Sequence, residues 1–216
     1  MKQICRFNSK PATIVDGGYK KGRHIVWLNL CAQEIPQADS QSERYECITD
    51  RLVLSERSLI SFVEAVDKSH LAIASNQELT EILQYFQVEA DVESWKTIRQ
   101  AQIKGYDQSD KVNRFYLIDK MLWLDKATRV GLVNSISAEK RDGYKTTDLW
   151  FDNIMIQLPV DDALDKLDKI ELYAKSCYNV TAKHLAEVEQ ANAVEELQQY
   201  DITADYPPFL KLTINE

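Results

Sequence analysis

Residues 95–150 read WKTIRQAQIKGYDQSDKVNRFYLIDKMLWLDKATRVGLVNSISAEKRDGYKTTDLW and carry the strongest structural signals in the chain. A helix, a two-stranded ribbon, a second helix and a strand are each indicated by local residues. Three of the four tryptophans lie here, whereas this stretch contains no histidine and no cysteine. A segment so well specified for folding and so poor in catalytic side chains is typical of a structural or adaptor module.

Each element of this stretch has its own signal. A helix is predicted to start near Asp91 or Ser94, and the alternation over Val112–Trp123 predicts a hairpin that turns at Asp119-Lys120. Asp125 is predicted to cap a helix over Lys126–Lys140. The residues expected on the inner side of that helix are Val130, Val133, Ile136 and Ser137. Two further strands are expected over Thr146–Phe151 and Asn153–Leu158, about a turn at Asp152-Asn153.

Upstream residues indicate a β-rich region followed by helices. The predicted strands are Gln3–Phe7, Arg23–Cys31 and Arg44–Leu54, with a turn at Asp16-Gly17-Gly18 and a polar surface loop over Gln37–Glu43 after Pro36. Because both faces of Arg23–Cys31 are largely apolar, we expect a central strand there. Helices are predicted to begin at Ser55, and Ser75 with Glu78 forms a capping box.

Downstream, the longest helix is predicted to open with Pro159 in its first turn and to run to about Ala191. The final residues, 200–216, contain Tyr206-Pro207-Pro208, which a regular helix does not accommodate. We therefore expect an extended arm there, and its apolar end lacks an obvious helical face to bury. Two outcomes stay open, since the arm can dock on a neighbouring protein or pack back on its own chain. The candidate partner-contact residues are Tyr206, Pro207, Pro208, Phe209, Leu210 and Leu212.

Taken together, the patterns predict an α+β fold. It consists of a β-rich N-terminal part, then a helical body with a small β-hairpin or sheet, and a long C-terminal helix. We expect residues 1–90 to form a β-rich docking domain with two helices, 91–192 a second α+β domain, and 193–216 the arm.

Charge and the distribution of apolar residues argue against some classes of protein, namely nucleic-acid binders and membrane proteins. The formal net charge of −8 argues against a general nucleic-acid binder. Residues 1–54 carry 8 basic and 6 acidic side chains, and the remaining residues carry 18 and 28. No stretch resembles a signal peptide or reaches the roughly 18 apolar residues of a membrane span, so we expect a soluble protein made in a cytoplasm, with no membrane partner.

Candidate chemical groups are scattered. The cysteines Cys5, Cys31, Cys47 and Cys177 show no C-x-x-C spacing, which favours reduced thiols over zinc or a disulfide framework. The histidines His24, His70 and His184 lie in different predicted elements, so we expect no metal or cofactor and no catalytic residues.

Several charged segments have a sharper and a plainer interpretation. The glycine-rich, basic residues 16–22 can touch a phosphate, but a hairpin turn with solvated lysines is favoured. The acidic side chains on the long helix can form an acid–base pair, but helix ion pairs with Lys166 and Lys169 are favoured. Those acids are Asp161, Asp162, Asp165, Asp168 and Glu171. The segment 125–129 can bind an anion, but is expected to tie the hairpin to its helix.

The tryptophans Trp95, Trp123 and Trp150 lie near the ends of separate predicted elements. Aromatic side chains in such positions commonly gather in one core, so we expect all three in a single hydrophobic cluster. A sugar-binding surface is the alternative.

From residue 95 to about 191 the chain resembles a domain of unknown function found in tail and tail-fibre-associated proteins of bacteriophages and prophages. The resemblance rests on Trp95-Lys96-x-x-Arg99, Tyr106-Asp107-x-Ser109, Val112-Asn113-x-Phe115, Trp123-Leu124-Asp125-Lys126-x-Thr128-Arg129, Leu149-Trp150-Phe151, Leu158-Pro159, Tyr173-Ala174 and Cys177-Tyr178. It covers a little under half of the chain and implies no catalytic residues.

We therefore expect a non-enzymatic structural or adaptor protein of the virion tail region, synthesised in the bacterial host cytoplasm. Its expected partners are other virion or tail proteins and further copies of itself, with no nucleic acid. Two alternatives stay open: a cytoplasmic tail-fibre assembly factor that does not remain in the particle, and a glycan-binding module.

Overall fold

The computed structural model describes residues 3–35, 44–151 and 154–213. The loop expected at Gln37–Glu43 after Pro36 and the turn expected at Asp152-Asn153 lie outside the described residues. Among those described, the strands are β1 (Gln3–Phe7), β2 (Ile14–Lys20), β3 (Arg23–Glu34), β4 (Tyr45–Leu54), β5 (Phe115–Leu117), β6 (Lys120–Leu122), β7 (Thr146–Phe151), β8 (Ile154–Pro159) and β9 (Leu210–Leu212). The helices are α1 (Leu59–Ala65), α2 (Lys68–Leu71), α3 (Asn76–Tyr85), α4 (Val92–Asp107), α5 (Lys126–Arg141), α6 (Val160–Gln190) and α7 (Val194–Gln199).

This arrangement is an α+β fold with an N-terminal group of strands and a long helix near the C-terminus, as the patterns predict. The chain divides into two compact units. Unit 1 comprises residues 1–109 and 183–203, and unit 2 comprises residues 110–182 and 204–216.

Unit 1 is built on an antiparallel sheet with the strand order β1-β4-β3-β2. The interior position of β3 agrees with its apolar faces. Val26, Leu28 and Leu30 are fully buried on one face of it, against the apolar stripes of the helices that follow. The register shifts between Leu30 and Gln33, and Cys31 has a φ of 53° at this irregularity.

Residues 183–203 belong to unit 1. Val188, Leu197 and Ile202 are buried in its core, and a buried guanidinium binds the same segment. Arg99 on α4 donates from Nε to the Leu197 carbonyl (2.7 Å) and from Nη2 to the Gln198 carbonyl (3.0 Å). Nη2 also donates to the side-chain oxygen of Asn76, and Nη1 donates to that of Gln102. Burial lowers the pKa of Arg99 below its ordinary value, and the surrounding oxygens satisfy the charge that remains in the interior.

Unit 2 has two small sheets and its own core. The β5–β6 hairpin is extended by β9, which pairs with β5 in parallel, and β7 with β8 forms an antiparallel ribbon. The inner residues of both sheets and of α5 and α6 bury a second apolar cluster, which includes Phe115, Ile136 and Leu167.

Local signals predicted several element ends correctly. Ser75 and Glu78 form the expected capping box on α3, and Asp91 and Asp125 accept the backbone N–H of Ser94 and Thr128.

Other expected boundaries were wrong. The first helix begins at Leu59 rather than Ser55, because the Ser58 hydroxyl caps it. Pro159 ends β8 instead of opening the long helix. The β5–β6 hairpin turns at Ile118-Asp119 and not at Asp119-Lys120, because Lys120 already pairs with Leu117; Ile118 has a φ of 57°. On α5, Val130 is exposed although it was expected on the inner side.

The compact units also differ from the domains expected at 1–90, 91–192 and 193–216. No division falls at residue 90, because Trp95 and Ile98 of α4 are fully buried in the same cluster as the sheet residues of unit 1. Residues 193–216 are not an extended arm throughout. They contain α7, with the buried Leu197, and the strand β9.

Candidate functional site

An exposed apolar surface of unit 2 begins on the β7–β8 ribbon. Strand β7 alternates strictly, with Thr147, Leu149 and Phe151 buried and the residues between them exposed. Trp150 is 67% exposed and stands opposite Met155, which is 47% exposed. Directly paired residues of an antiparallel ribbon share a face, so an indole and a thioether lie together on the outside.

A groove adjoins this pair. It is a cavity of about 500 Å³ and is lined mainly by apolar side chains from the β5–β6 hairpin and the β7–β8 ribbon. The lining residues are Leu117, Ile118, Asp119, Lys120, Leu122, Phe151, Met155 and Ile156. Ile118 is 55% exposed at its edge, and the side chains of Asp119 and Lys120 add one charge of each sign. Because Met155 belongs to both the groove and the outer face of the ribbon, the two form one apolar surface, which we call the ribbon surface.

The prediction of one tryptophan cluster was wrong. Trp95 is fully buried in unit 1, whereas Trp123 and Trp150 are exposed residues of unit 2, Trp123 by 56%. Strand parity was the signal that could have placed Trp150 outside, since Leu149 and Phe151 on either side occupy the inner face. Sequence reasoning therefore missed the ribbon surface, although it singled out one of its main residues.

The expected partner-contact segment packs largely on its own unit. Leu210 and Leu212 stand in register with Phe115 and Leu117, and Leu212 is buried. The ring of Phe209 meets that of Tyr116 edge-on, and the Tyr206 hydroxyl lies 2.8 Å from that of Thr181. Pro207 is half-buried and Pro208 is exposed. An external contact was expected because the apolar end of the chain had no helical face to bury. These side chains pack on their own unit, so the expectation loses its basis.

Comparison with protein-family models, with curated proteins and with solved structures gives no match. The resemblance of residues 95–191 to a phage tail domain stays a prediction.

Two of the histidines lie in the interior of unit 1 beside acidic or phenolic groups. His70 places Nδ1 2.5 Å from Oδ2 of Asp50. His184 places Nδ1 2.6 Å from the Tyr200 hydroxyl, which donates to Glu187. Both rings are almost fully buried. Each contact joins neighbouring elements of unit 1.

Four of the five acidic residues named on the long helix form ion pairs, Asp162 and Asp165 within α6 as predicted and Asp161 and Glu171 with residues of α5. Lys166 binds Asp162 at 2.6 Å and Lys169 binds Asp165 at 2.7 Å. Asp161 pairs with Lys140. Glu171 pairs with Arg129, whose Nη1 also donates to the Leu124 carbonyl. The segment 125–129 therefore joins α5 to α6 and to the residues after the hairpin.

The glycine-rich residues 16–22 form the β2–β3 hairpin. Gly18 and Gly22 have positive φ, and Asp16 accepts the backbone N–H of Gly18. A hairpin is therefore present, as the plainer interpretation predicted, but the turn expected at Asp16-Gly17-Gly18 was wrong. Those residues lie within β2 at a shift in its register, and the chain turns at Lys21-Gly22 because β2 pairs with β3 up to Lys20 and Arg23.

Within residues 3–35, 44–151 and 154–213, no group of three or more His, Cys, Asp or Glu side chains is arranged to hold a metal ion. None of the helices in this part of the chain combines the length and the apolar character needed to cross a membrane.

Proposed function

We propose that this chain is a non-enzymatic structural or adaptor protein of a bacteriophage or prophage tail, made in the host cytoplasm and carried in the virion. It acts through protein–protein contacts, and the ribbon surface is its docking site. The observation that supports this most directly is the exposed pair Trp150 and Met155 beside an apolar groove. The setting in a tail rests on the resemblance of residues 95–191, which includes Leu149-Trp150-Phe151.

The chemistry of the ribbon surface fits a protein segment. Tryptophan and methionine are enriched in the cores of protein interfaces, and tryptophan often contributes most of the binding free energy. Beside the apolar groove, Asp119 and Lys120 supply the polar border that such interfaces have. The expected occupant is therefore an apolar segment of another tail protein.

Paired surface variants test the docking site. We expect the double change Trp150→Ser with Met155→Ser to leave the fold intact, because both side chains are exposed, and to abolish incorporation into particles. The matched control changes two exposed side chains on α6, Leu172→Ser with Tyr178→Ser, and should incorporate normally. Quantitative mass spectrometry of purified particles measures incorporation, and equal incorporation of both double variants would refute the ribbon surface as the docking site.

The same measurement on the unaltered protein distinguishes a virion component from an assembly factor. A virion component is recovered from purified particles in a fixed ratio to the other tail proteins. If the chain is needed for fibre assembly yet is absent from the particles, it is a cytoplasmic assembly factor and the virion proposal is wrong.

Exposure of Trp123 and Trp150 also favours the second candidate, a glycan-binding module. Trp123→Ala should change the free energy of unfolding by no more than about 0.5 kcal/mol, since the side chain is exposed. The cost of roughly 3–5 kcal/mol that a buried tryptophan carries is not expected. A glycan array, followed by binding measurements with Trp123→Ala and Trp150→Ala, tests this candidate; no glycan bound by the unaltered protein would rule it out for the sugars on the array.

A further inference from the structure

Two cysteines face each other across the first sheet. Cys5 on β1 is in direct register with Cys47 on the antiparallel strand β4. Opposed residues of an antiparallel pair have Cα atoms about 4.5 or 5.5 Å apart, depending on the hydrogen-bonding position. Disulfides accept Cα separations of about 4.4–6.8 Å. The register therefore places the Cα atoms of these two cysteines at a separation that a disulfide spans.

Cys47 and Cys31 lie on different sides of the first sheet. Cys47 is buried, with Sγ 3.3 Å from the Thr49 hydroxyl, and Cys5 is half-buried. Cys31 donates its thiol to the Ile73 carbonyl, on the side of the sheet that faces the helices. Cys47 and Thr49 share the opposite side with Asn29. Cys5 and Cys47 are both free thiols in this structure.

We propose that Cys5 and Cys47 form a cross-strand disulfide when the folded protein meets a small-molecule disulfide such as oxidised glutathione. The inference is independent of the proposed function. It assigns a redox modification site to a chain whose cysteine spacing gives no sign of one.

The exchange proceeds in two balanced steps. Cys5 is the more accessible thiol, and burial raises the pKa of the Cys47 thiol above its ordinary value. The Cys5 thiolate attacks one sulfur of the glutathione disulfide, so that a mixed disulfide forms and one glutathione thiolate leaves. The Cys47 thiolate then attacks the Cys5 sulfur and displaces the second glutathione thiolate. Two protein thiols are oxidised, one glutathione disulfide is reduced to two thiols, and the two protein protons pass to solvent or to the released thiolates.

The cross-link would fix β1, one of the two edge strands of the sheet. Among the strands of the described residues, β1 pairs only with β4. The ion pair that adds to this pairing, Arg6 with Glu46, is largely exposed to solvent. Exposed ion pairs contribute little, so the reduced edge strand depends mainly on its backbone pairing. A covalent bond at its centre prevents the strand from leaving and keeps the edge of β4 covered.

Peptide mapping of the native protein tests the proposal. The folded chain is equilibrated in glutathione buffers of increasing oxidised fraction, and the free thiols are alkylated before trypsin digestion. Without reduction, we expect residues 3–6 (QICR) to be joined to residues 45–51 (YECITDR), while Cys31 and Cys177 remain alkylated. Amide hydrogen exchange across β1 should slow by about tenfold or more on oxidation, because the strand can no longer open alone.

Two serine variants complete the test. Cys31→Ser should form the cross-link and show the slower exchange, whereas Cys5→Ser should do neither. The proposal is overturned if the joined peptide is absent at every glutathione ratio, if it appears only in denaturant, or if Cys5 stops at the mixed disulfide. The mapping uses the unaltered protein, so it stands even if Cys5→Ser does not fold.

Discussion

Gly105 on α4 lies where the helix meets the backbone of α2. A Cβ built on this residue would come within 1.8 Å of the Lys68 carbonyl oxygen, which is too close for any side chain. Gly131 on α5 has no such neighbour, since a Cβ there meets nothing within 4 Å. Both glycines lie in helices, but only at Gly105 does the close approach of another backbone exclude a side chain.

Alanine substitution at the two positions should change stability in opposite directions. Gly105→Ala forces α4 away from α2, and overpacking of this kind costs roughly 1–3 kcal/mol or more. Gly131→Ala fills open space and raises helix propensity, so it should stabilise by up to about 1 kcal/mol. Urea unfolding of both variants measures the difference, and a neutral Gly105→Ala would contradict the close approach of the two backbones.

Residue type alone does not tell these glycines apart, nor does it place the tryptophans. A Trp is large enough to fill a core, yet Trp150 and Trp123 are exposed, because burial depends on which other elements cover each face. Trp95 is buried because its helix packs on the sheet of unit 1. Whether a face is covered depends on contacts between residues that are distant in sequence. Only the alternation of β7 indicates locally that Trp150 lies on an exposed face.

At the scale of elements, the helix N-termini were the features most readily predicted. Asp125 accepts both the hydroxyl and the backbone N–H of Thr128, at 2.6 Å and 2.9 Å. This geometry needs only residues three apart in sequence, so the pattern is visible without a structure. The pairing of β5 with β9 joins residues almost one hundred positions apart and has no local signal.

Capping by Asp125 predicts a pH dependence. Hydrogen bonds from the Thr128 hydroxyl, and then from its backbone N–H, lower the pKa of Asp125 below its ordinary value. A carboxyl group whose pKa is lower in the folded state stabilises the protein fully above the unfolded pKa, about 4. It loses this contribution as the pH falls through the lower folded value.

We therefore expect Asp125→Ala to be less stable than the unaltered protein at pH 6, with the difference shrinking below about pH 4. Urea midpoints measured from pH 6 to pH 2.5 would show the convergence. Asp119→Ala in the exposed hairpin turn is the matched control and should differ little at any of these pH values. A gap for Asp125→Ala that stays constant to pH 2.5 would exclude the carboxylate as its source.

At the scale of the molecule, the last residues of the chain serve both units. Ile202 is buried in the core of unit 1, and Leu212 is buried in the core of unit 2. The sequence does not decide whether residues 200–216 dock on another protein or pack on their own chain. An extended apolar segment is compatible with both contacts. The register of β9 beside β5 settles this for Leu210–Leu212.

Truncation of residues 200–216 should consequently destabilise the fold instead of leaving a sound monomer that merely fails to assemble. A single change isolates the effect: Leu212→Ala should cost roughly 2–5 kcal/mol, the usual loss for a buried leucine. Lys211→Ala is the matched control, because Lys211 lies on the same strand and is exposed. Urea unfolding followed by circular dichroism measures the midpoint of each variant. Equal midpoints for Leu212→Ala and Lys211→Ala would show that β9 does not hold this core together, and residues 200–216 would again be candidates for a contact with another protein.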